Sequence, residues 1–342
     1  MMGKRFAAVL FALCLVAFTV QAGAEYKIKM GYSPGNLPPE DSMEIMYGHI
    51  FKKVVEEKSG GRIEVEIYQS DALGSAGDTV GAISANSVEM GQYEIALWAP
   101  YNRNTMIFSL PGMLRDKDET VAMFNSDWAY ENVFNELELK ANFKILGGLC
   151  KGFRDFTTKG RPLKTPADIK GLSIRVMDSP MYVKMIEALS ANPIILAGSE
   201  MYTAMKNGVV DGHENAVLSI WQDKTYEVQD NLILDEHVPG ILTFVISAKF
   251  YNGLPADLRK AVDEANKAAM AESHKVVLRI ESELTKRLAE SGMTVYVPTP
   301  EEKKLWHDTI RPPCEAFLRT RIDSKLVDGY VAELGKHRTG KP

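Results

Sequence analysis

The chain has 342 residues, 45% of them hydrophobic and 25% charged, which is the balance of a folded globular protein and excludes a disordered or fibrous one. That length is enough for two domains of ordinary size. With 40 basic against 45 acidic residues, a net charge of −5 and no basic block, the composition excludes nucleic acid as a natural partner.

The N-terminus comes first. Lys4 and Arg5 precede an apolar run from Phe6 to Val20, and Ala22-Gly23-Ala24 then offers a small-residue cleavage site before Glu25. This is the layout of a secretory signal peptide, residues 1–24, cleaved after Ala24. Leu13 stands before Cys14 where a lipid-attachment signal wants a small residue, so Cys14 reads as part of the apolar run. No later segment is apolar enough to cross a bilayer, so no stable membrane insertion of the mature chain is expected. Cleavage removes two positive charges and no negative ones, moving the net charge from −5 to −7. Only Cys150 and Cys314 then remain. In an oxidising compartment they either pair or stay as two separate buried thiols, and neither has metal-ligand spacing.

From Tyr26 the pattern alternates between strand and helix. Tyr26, Ile28 and Met30 keep a period of two, as do Ile63, Val65 and Ile67. Between them Met43, Met46, Tyr47, Ile50, Phe51 and Val54 recur at helical spacing, with Asp41 and Glu44 as the capping pair and Gly60-Gly61 as the stop. Two strands joined by a helix imply parallel pairing. A second unit opens at Thr165-Pro166-Ala167-Asp168, read as a capped short helix closed by Gly171. Leu172, Ile174 and Val176 then share one strand face while Ser173, Arg175 and Met177 point the other way. Ser179-Pro180 starts the next helix, and Ser199 caps another that ends at Gly208. Alternating strands and helices in both halves predict two α/β domains. From Pro255 to Ser291 there is no interior Gly or Pro, and Leu258, Val262, Ala265, Ala269, Val277, Ile280, Leu284 and Leu288 follow one stripe. The spacing predicts a helix of roughly 35 residues, about 50 Å long, enough to cross both domains.

No nucleophile elbow, phosphate loop, zinc helix or dinucleotide fingerprint is present, and no cofactor or metal is expected. Asp211-Gly212-His213-Glu214-Asn215 reads on its own as a solvated turn or as an acid–base site. Arg175, in the middle of a β-branched strand, must face solvent, a salt-bridge partner or a cleft, where its fork would suit a carboxylate. Arg154 presents the same choice.

Several blocks, in order, resemble the solute-binding proteins of TRAP transporters, the DctP-like family. They are Gly152-Phe153-Arg154, the run from Pro162 to Val176, Ser179-Pro180-Met181-Tyr182, Ala191-Asn192-Pro193, the run from Ser199 to Ala204, and the run from Asn207 to Asn215. Weaker similarity covers Ser59-Gly60-Gly61-Arg62, Ala72-Leu73-Gly74, Ser109-Leu110-Pro111 and the long helix. The resemblance implies an α/β, two-lobed periplasmic binding protein fold with a hinge cleft and one long helix spanning both lobes. On that resemblance, lobe I would take residues 25–152 plus roughly 241–275, and lobe II 153–240 plus roughly 276–342.

It also implies a small organic acid as ligand and TRAP membrane permease subunits as partners. The chain is expected to act as a monomer in the periplasm and not as an enzyme. Arg175 is expected to pair with the ligand carboxylate, Asn215 to hydrogen-bond it and Arg154 to add a contact. Glu94, Ser33 and Ser75 align with further contacts, and Trp98 with an apolar wall. Gly198 stands where many members carry a stacking aromatic, so the pocket gains room. Two other readings stay open: a ligand-presenting sensory protein, or a periplasmic enzyme using Glu94, His213 or Glu214.

Overall fold

The computed structural model describes residues 23–33, 35 and 37–339, so the leader expected over residues 1–24 lies almost entirely outside the described residues. Strand β1 (Tyr26–Tyr32), helix α1 (Met43–Lys58) and strand β2 (Ile63–Tyr68) form the expected crossover unit. The strands pair in parallel, Tyr26 opposite Ile63. Ser42, not Asp41, caps α1: its hydroxyl oxygen accepts from the Ile45 N–H at 3.3 Å, while Asp41 belongs to a short 3₁₀ turn before it. Serine at this position satisfies one of the open amides of the first turn. Gly60 and Gly61 adopt φ of +62° and +79°, a left-handed exit that glycine makes without strain.

Helix α2 (Ala76–Ser84), capped by Ser75 and Asp78, leads to strand β3 (Met90–Glu94) beside β1. Three short helices follow, α3 (Lys117–Phe124), the single turn α4 (Asp127–Ala129) and α5 (Asn135–Ala141). Strand β4 (Phe143–Thr158) then runs for 16 residues. Beyond it come β5 (Ser173–Val176), α6 (Pro180–Ala188), β6 (Asn192–Ile195), α7 (Gly198–Lys206), β7 (Gly212–Ala216) and α8 (Val217–Gln222). Strand β8 (Asn231–Ser247) returns antiparallel to β4 over 17 residues. The chain ends with α9 (Ala248–Gly253), α10 (Ala256–Glu290), β9 (Thr294–Tyr296), α11 (Pro300–Arg319) and α12 (Ser324–Thr339).

Two local expectations change. Residues 165–171 form a bend and turns and not a helix, with the Asp168 carboxylate accepting the Lys164 and Thr165 amides. Helix α7 starts at Gly198, and Glu200 closes its first turn by accepting the Ala197 N–H at 3.0 Å, so Ser199 lies inside the helix.

Among the described residues nine strands form one sheet in the order β2-β1-β3-β8-β4-β7-β5-β6, with β9 on β8. The long strands β4 and β8 are its spine: one end carries β3 and its neighbours, the other β7, β5 and β6. Their register slips between Cys150 and Phe153 and again between Arg154 and Phe156, midway along the ladder. Gly152 takes φ +118° at the first slip, which a side chain would resist.

Helices α1, α8 and α10 cover one sheet face through Tyr47, Phe51, Leu258, Val262 and Leu284. Helices α2, α3, α5, α6, α11 and α12 share a second core with Phe108, Phe124, Ile174 and Trp306, while α9 joins the first core through Tyr251 and α7 packs in a small third one through Met201 and Met205. The 35-residue α10 buries the predicted stripe and ties to both ends of the molecule: Asp257 pairs with Arg62 beside β2, and Arg287 lies over the Trp221 ring at 5.7 Å. Helix α12, assigned to lobe II from the sequence, packs Tyr330 on Phe108 and joins Arg338 to Glu119. Cys150 and Cys314 are both free and buried.

Candidate functional site

A cavity of about 390 Å³ opens where the two halves of the sheet meet. One wall comes from β3, the α2 start and the α1 start; the other comes from β5, β7 and the α7 start. β3 and β5 stand four strand steps apart in the sheet, about 19 Å at ~4.8 Å per step, and residues of both line the cavity.

Arg175 is central on that second wall. Its neighbours Ile174 and Val176 are fully buried on one face of β5, and alternation turns Arg175 the other way, onto the cavity. It is only 4% exposed, yet no carboxylate pairs with it among the described residues. Its Nε and Nη2 donate to a single acceptor, the Leu196 carbonyl, at 3.0 and 2.7 Å. Burial disfavours the cation and pushes the guanidinium down to about 10. A buried arginine without a counter-ion is a site waiting for an anion.

Asn215 lies next door. Arg175 is in register with His213, so Asn215, two residues on along β7, lies diagonal to it on the same face. The Asn215 Oδ1 accepts the Ala216 N–H at 3.0 Å, which fixes the amide and leaves its NH₂ as a donor with no partner among the described residues.

Arg154 is differently placed. It is fully buried, its Nε and Nη2 grip the Glu214 carboxylate at 2.5 and 2.9 Å, and Nη1 reaches Glu94 Oε1 at 3.1 Å. Nη2 also donates to the Glu214 carbonyl at 2.8 Å, and the Tyr182 ring covers the guanidinium at 5.2 Å. Burial alone would weaken this cation, but the charges of Glu214 and Glu94 outweigh it and hold the guanidinium firmly charged. Glu214 answers in kind: burial would raise it, but Arg154 and His237 bring it down to about 2. Glu94 shares its Oε1 with Lys151 Nζ at 2.8 Å, and that ammonium also donates to Ser219 Oγ at 2.8 Å.

Behind Glu214 the chain of charges continues into the core. His237 Nε2 is 3.5 Å from Glu214, and its Nδ1 is 2.8 Å from Asp235. Burial opposes the imidazolium, but Asp235 and Glu214 prevail and raise it to about 9.

The structure brings Arg175, Asn215, Arg154, Glu94, Ser33, Ser75 and Gly198 to one cavity. A Cβ on Gly198 would meet nothing within 4 Å, which agrees with a roomier pocket. Trp98 is elsewhere: it is fully buried, donates to Thr243 Oγ1 at 2.9 Å and packs edge-on to Phe143, while Leu97 takes the wall. The chain leaves β3 in a 3₁₀ turn at Ile95–Trp98, which turns the Trp98 ring into the core and not onto the wall the resemblance implied. His213 and Glu214 lie beneath the cavity, His213 held between Thr157 and Thr225 and kept neutral by burial, at about 4.

Lys151, Glu44, Gln92 and Asp223 also line the cavity and were missed. Lys151 directly precedes the Gly152-Phe153-Arg154 block, which was the one available signal. Nothing local marks the other three.

The chain matches the family described as "Bacterial extracellular solute-binding protein, family 7", DctP, over residues 35–320. It is 27% identical over 312 residues to the C4-dicarboxylate-binding periplasmic protein DctP of Shewanella loihica, covering 90% of each chain. A TRAP periplasmic solute binding protein from Shewanella oneidensis, solved with bound succinate, superposes with a TM-score of 0.83 at 25% identity, covering 91% of this chain and 99% of that one. Another from Sulfurospirillum deleyianum, also with bound succinate, gives 0.82 at 25%, covering 90% and 98%.

Proposed function

Because the chain belongs to bacterial extracellular solute-binding protein family 7, the DctP family, we infer that it captures a small organic acid in the cleft and delivers it to the membrane permease of a TRAP-type transporter. The observation that carries this reading is Arg175, a buried cation facing the cavity with no counter-ion among the described residues. A ligand carboxylate would supply the missing charge and accept from Nη1, with the Asn215 NH₂ as second donor. Arg154, already held by two acids, serves to position Glu94 and Glu214.

In the ligand-free cleft Arg175 already lies buried with only the Leu196 carbonyl as acceptor and the cavity beside it. Closing the cleft without an anion would seal in an uncompensated charge, so the ligand shifts the balance toward the closed form. The hinge would be the register slips of β4 and β8, with lobe I as residues 25–152 plus roughly 241–275 and lobe II as the rest, as the size of such domains suggests. We place the mature protein in the periplasm as a monomer, released by cleavage after Ala24. No helix among the described residues is long and apolar enough to cross a membrane, which is compatible with that placement.

The binding role is preferred over catalysis because His213 and Glu214 are fully buried and engaged within the protein. The test is a thermal-shift screen of the mature protein against small organic acids. A ligand at 100 times its Kd should add about 2.7 kcal/mol of stability. A hit recovered chemically unchanged supports binding, and turnover of the bound acid would overturn it.

A further inference from the structure

The charges around the cavity narrow its occupant. Three cations line it, Lys151, Arg154 and Arg175. Two are already neutralised: Arg154 by Glu214 and Glu94, and Lys151 by Glu94. Arg175 alone is left for a ligand. Against these stand five acidic side chains on the same walls, so the lining is net negative before anything binds.

The unsatisfied groups point the same way. Gln92 donates its amide to the Glu44 carbonyl at 3.0 Å, which leaves its Oε1 buried with no partner among the described residues. Glu94 uses Oε1 twice and leaves Oε2 equally without a partner. Both residues are more than nine-tenths buried and line the cavity. Glu44, itself buried, and Asp223, open to cavity solvent, add further carboxylates, with Gln222 joining the floor to Glu44 at 3.4 Å. Away from Arg175 and Asn215, the carboxylates and the unpartnered side-chain oxygens of the lining add acceptors.

We propose that the ligand carries a single carboxylate, held at Arg175, that its remaining polar groups are hydrogen-bond donors, hydroxyl or ammonium, and that a second carboxylate is rejected. The proposal rests on the carboxylate-binding reading above. A second carboxylate would find no uncommitted cation and would sit against Glu44, Glu94 or Asp223, a like-charge contact that disfavours binding. A hydroxyl or ammonium meets no such repulsion, and a small side-chain adjustment brings it to the buried, unpartnered oxygens of Gln92 and Glu94; sites built around buried acceptors discriminate strongly for donors.

The test uses matched acids that differ at one end only. Titration calorimetry on the mature protein would compare succinate with 4-hydroxybutyrate and 4-aminobutyrate, and galactarate with galactonate. The monocarboxylate of at least one set should bind at least about tenfold tighter than its dicarboxylate. In Asp223→Asn that preference should shrink at least about threefold, and Asp223 is exposed enough for the variant to fold. A dicarboxylate binding as tightly as its matched partners would overturn this inference and leave the carboxylate reading standing. If no acid of either kind binds the wild-type protein, the carboxylate reading fails and this inference with it.

Discussion

Arg154 and Glu214 meet in a two-pronged ion pair, Nε to Oε2 at 2.5 Å and Nη2 to Oε1 at 2.9 Å, with neither side chain exposed. The pair decides how the cavity works. It occupies the arginine that lies deepest and leaves Arg175, on the strand beyond β7, as the cation without a counter-charge.

Arg175→Ala should abolish ligand binding while the fold survives. A buried charge-assisted contact contributes about 3 kcal/mol, so affinity should fall about 100-fold. The residue's hydrogen bonds within the protein go to the Leu196 carbonyl, so unliganded stability should change by about 1 kcal/mol or less. Calorimetric titration and urea unfolding read the two effects separately. Unchanged affinity would remove Arg175 from the site.

Breaking the Arg154–Glu214 pair from one side should behave in the opposite way. Arg154→Ala or Glu214→Ala strands a buried charge and should destabilise the ligand-free protein by about 3–5 kcal/mol. Arg154→Met combined with Glu214→Leu should cost clearly less than the sum of Arg154→Met and Glu214→Leu made singly. A double-mutant cycle in urea checks this, and simple additivity would mean that the two charges are not coupled.

The buried His237 predicts an alkaline limb in stability. Its folded value is raised from 6.5 to about 9, so the folded state holds the proton more tightly than the unfolded chain. The stabilisation is complete below about pH 6.5 and is lost as pH rises through about 9, a change of roughly 3 kcal/mol. Glu214, lowered to about 2, sets the acid side: its contribution is present above about pH 4.5 and is lost as pH falls toward 2. In His237→Gln the slope between pH 6.5 and 9 should flatten, as followed by Tm in buffers of matched ionic strength.

Gly198→Phe should fold normally, because a side chain there begins in open space and the glycine is not left-handed. The ring would enter the cavity and restrict it. Affinity for six-carbon acids should drop at least about tenfold relative to four-carbon acids. Equal losses for both sizes would mean that the ring does not reach the ligand.

Cys150 and Cys314 should be unreactive in the native protein. Both thiols are buried, and burial raises each to about 12, so almost no thiolate forms at neutral pH. A chromogenic disulfide reagent should find no fast-reacting thiol in the native mature chain and two after denaturation. Two thiols reacting before unfolding would contradict the packing around them.

Local rules carried much of the architecture. The period-two runs at Tyr26–Met30 and Ile63–Ile67, with a helical stripe between them, could form little but a parallel crossover unit, because each pattern buries its apolar face in one geometry only. The unbroken stripe of α10 declared its length in the same way. The ordered blocks from Gly152 to Asn215 singled out Arg175 and Asn215, and strand alternation put Arg175 opposite its buried neighbours.

Tertiary structure decided the rest. Arg154 meets Glu94 and Glu214 across 60 residues of chain in each direction, and Lys151 meets Ser219 across 68. Such contacts follow from the register of the two long strands and from the slips within it, which no local pattern encodes. The same holds for Trp98, which a 3₁₀ turn carried into the core, and for Gln92, whose orphaned oxygen exists only because Glu44 is its neighbour in space. Sequence periodicity tells which face a residue is on, and the pairing of distant strands tells what it faces.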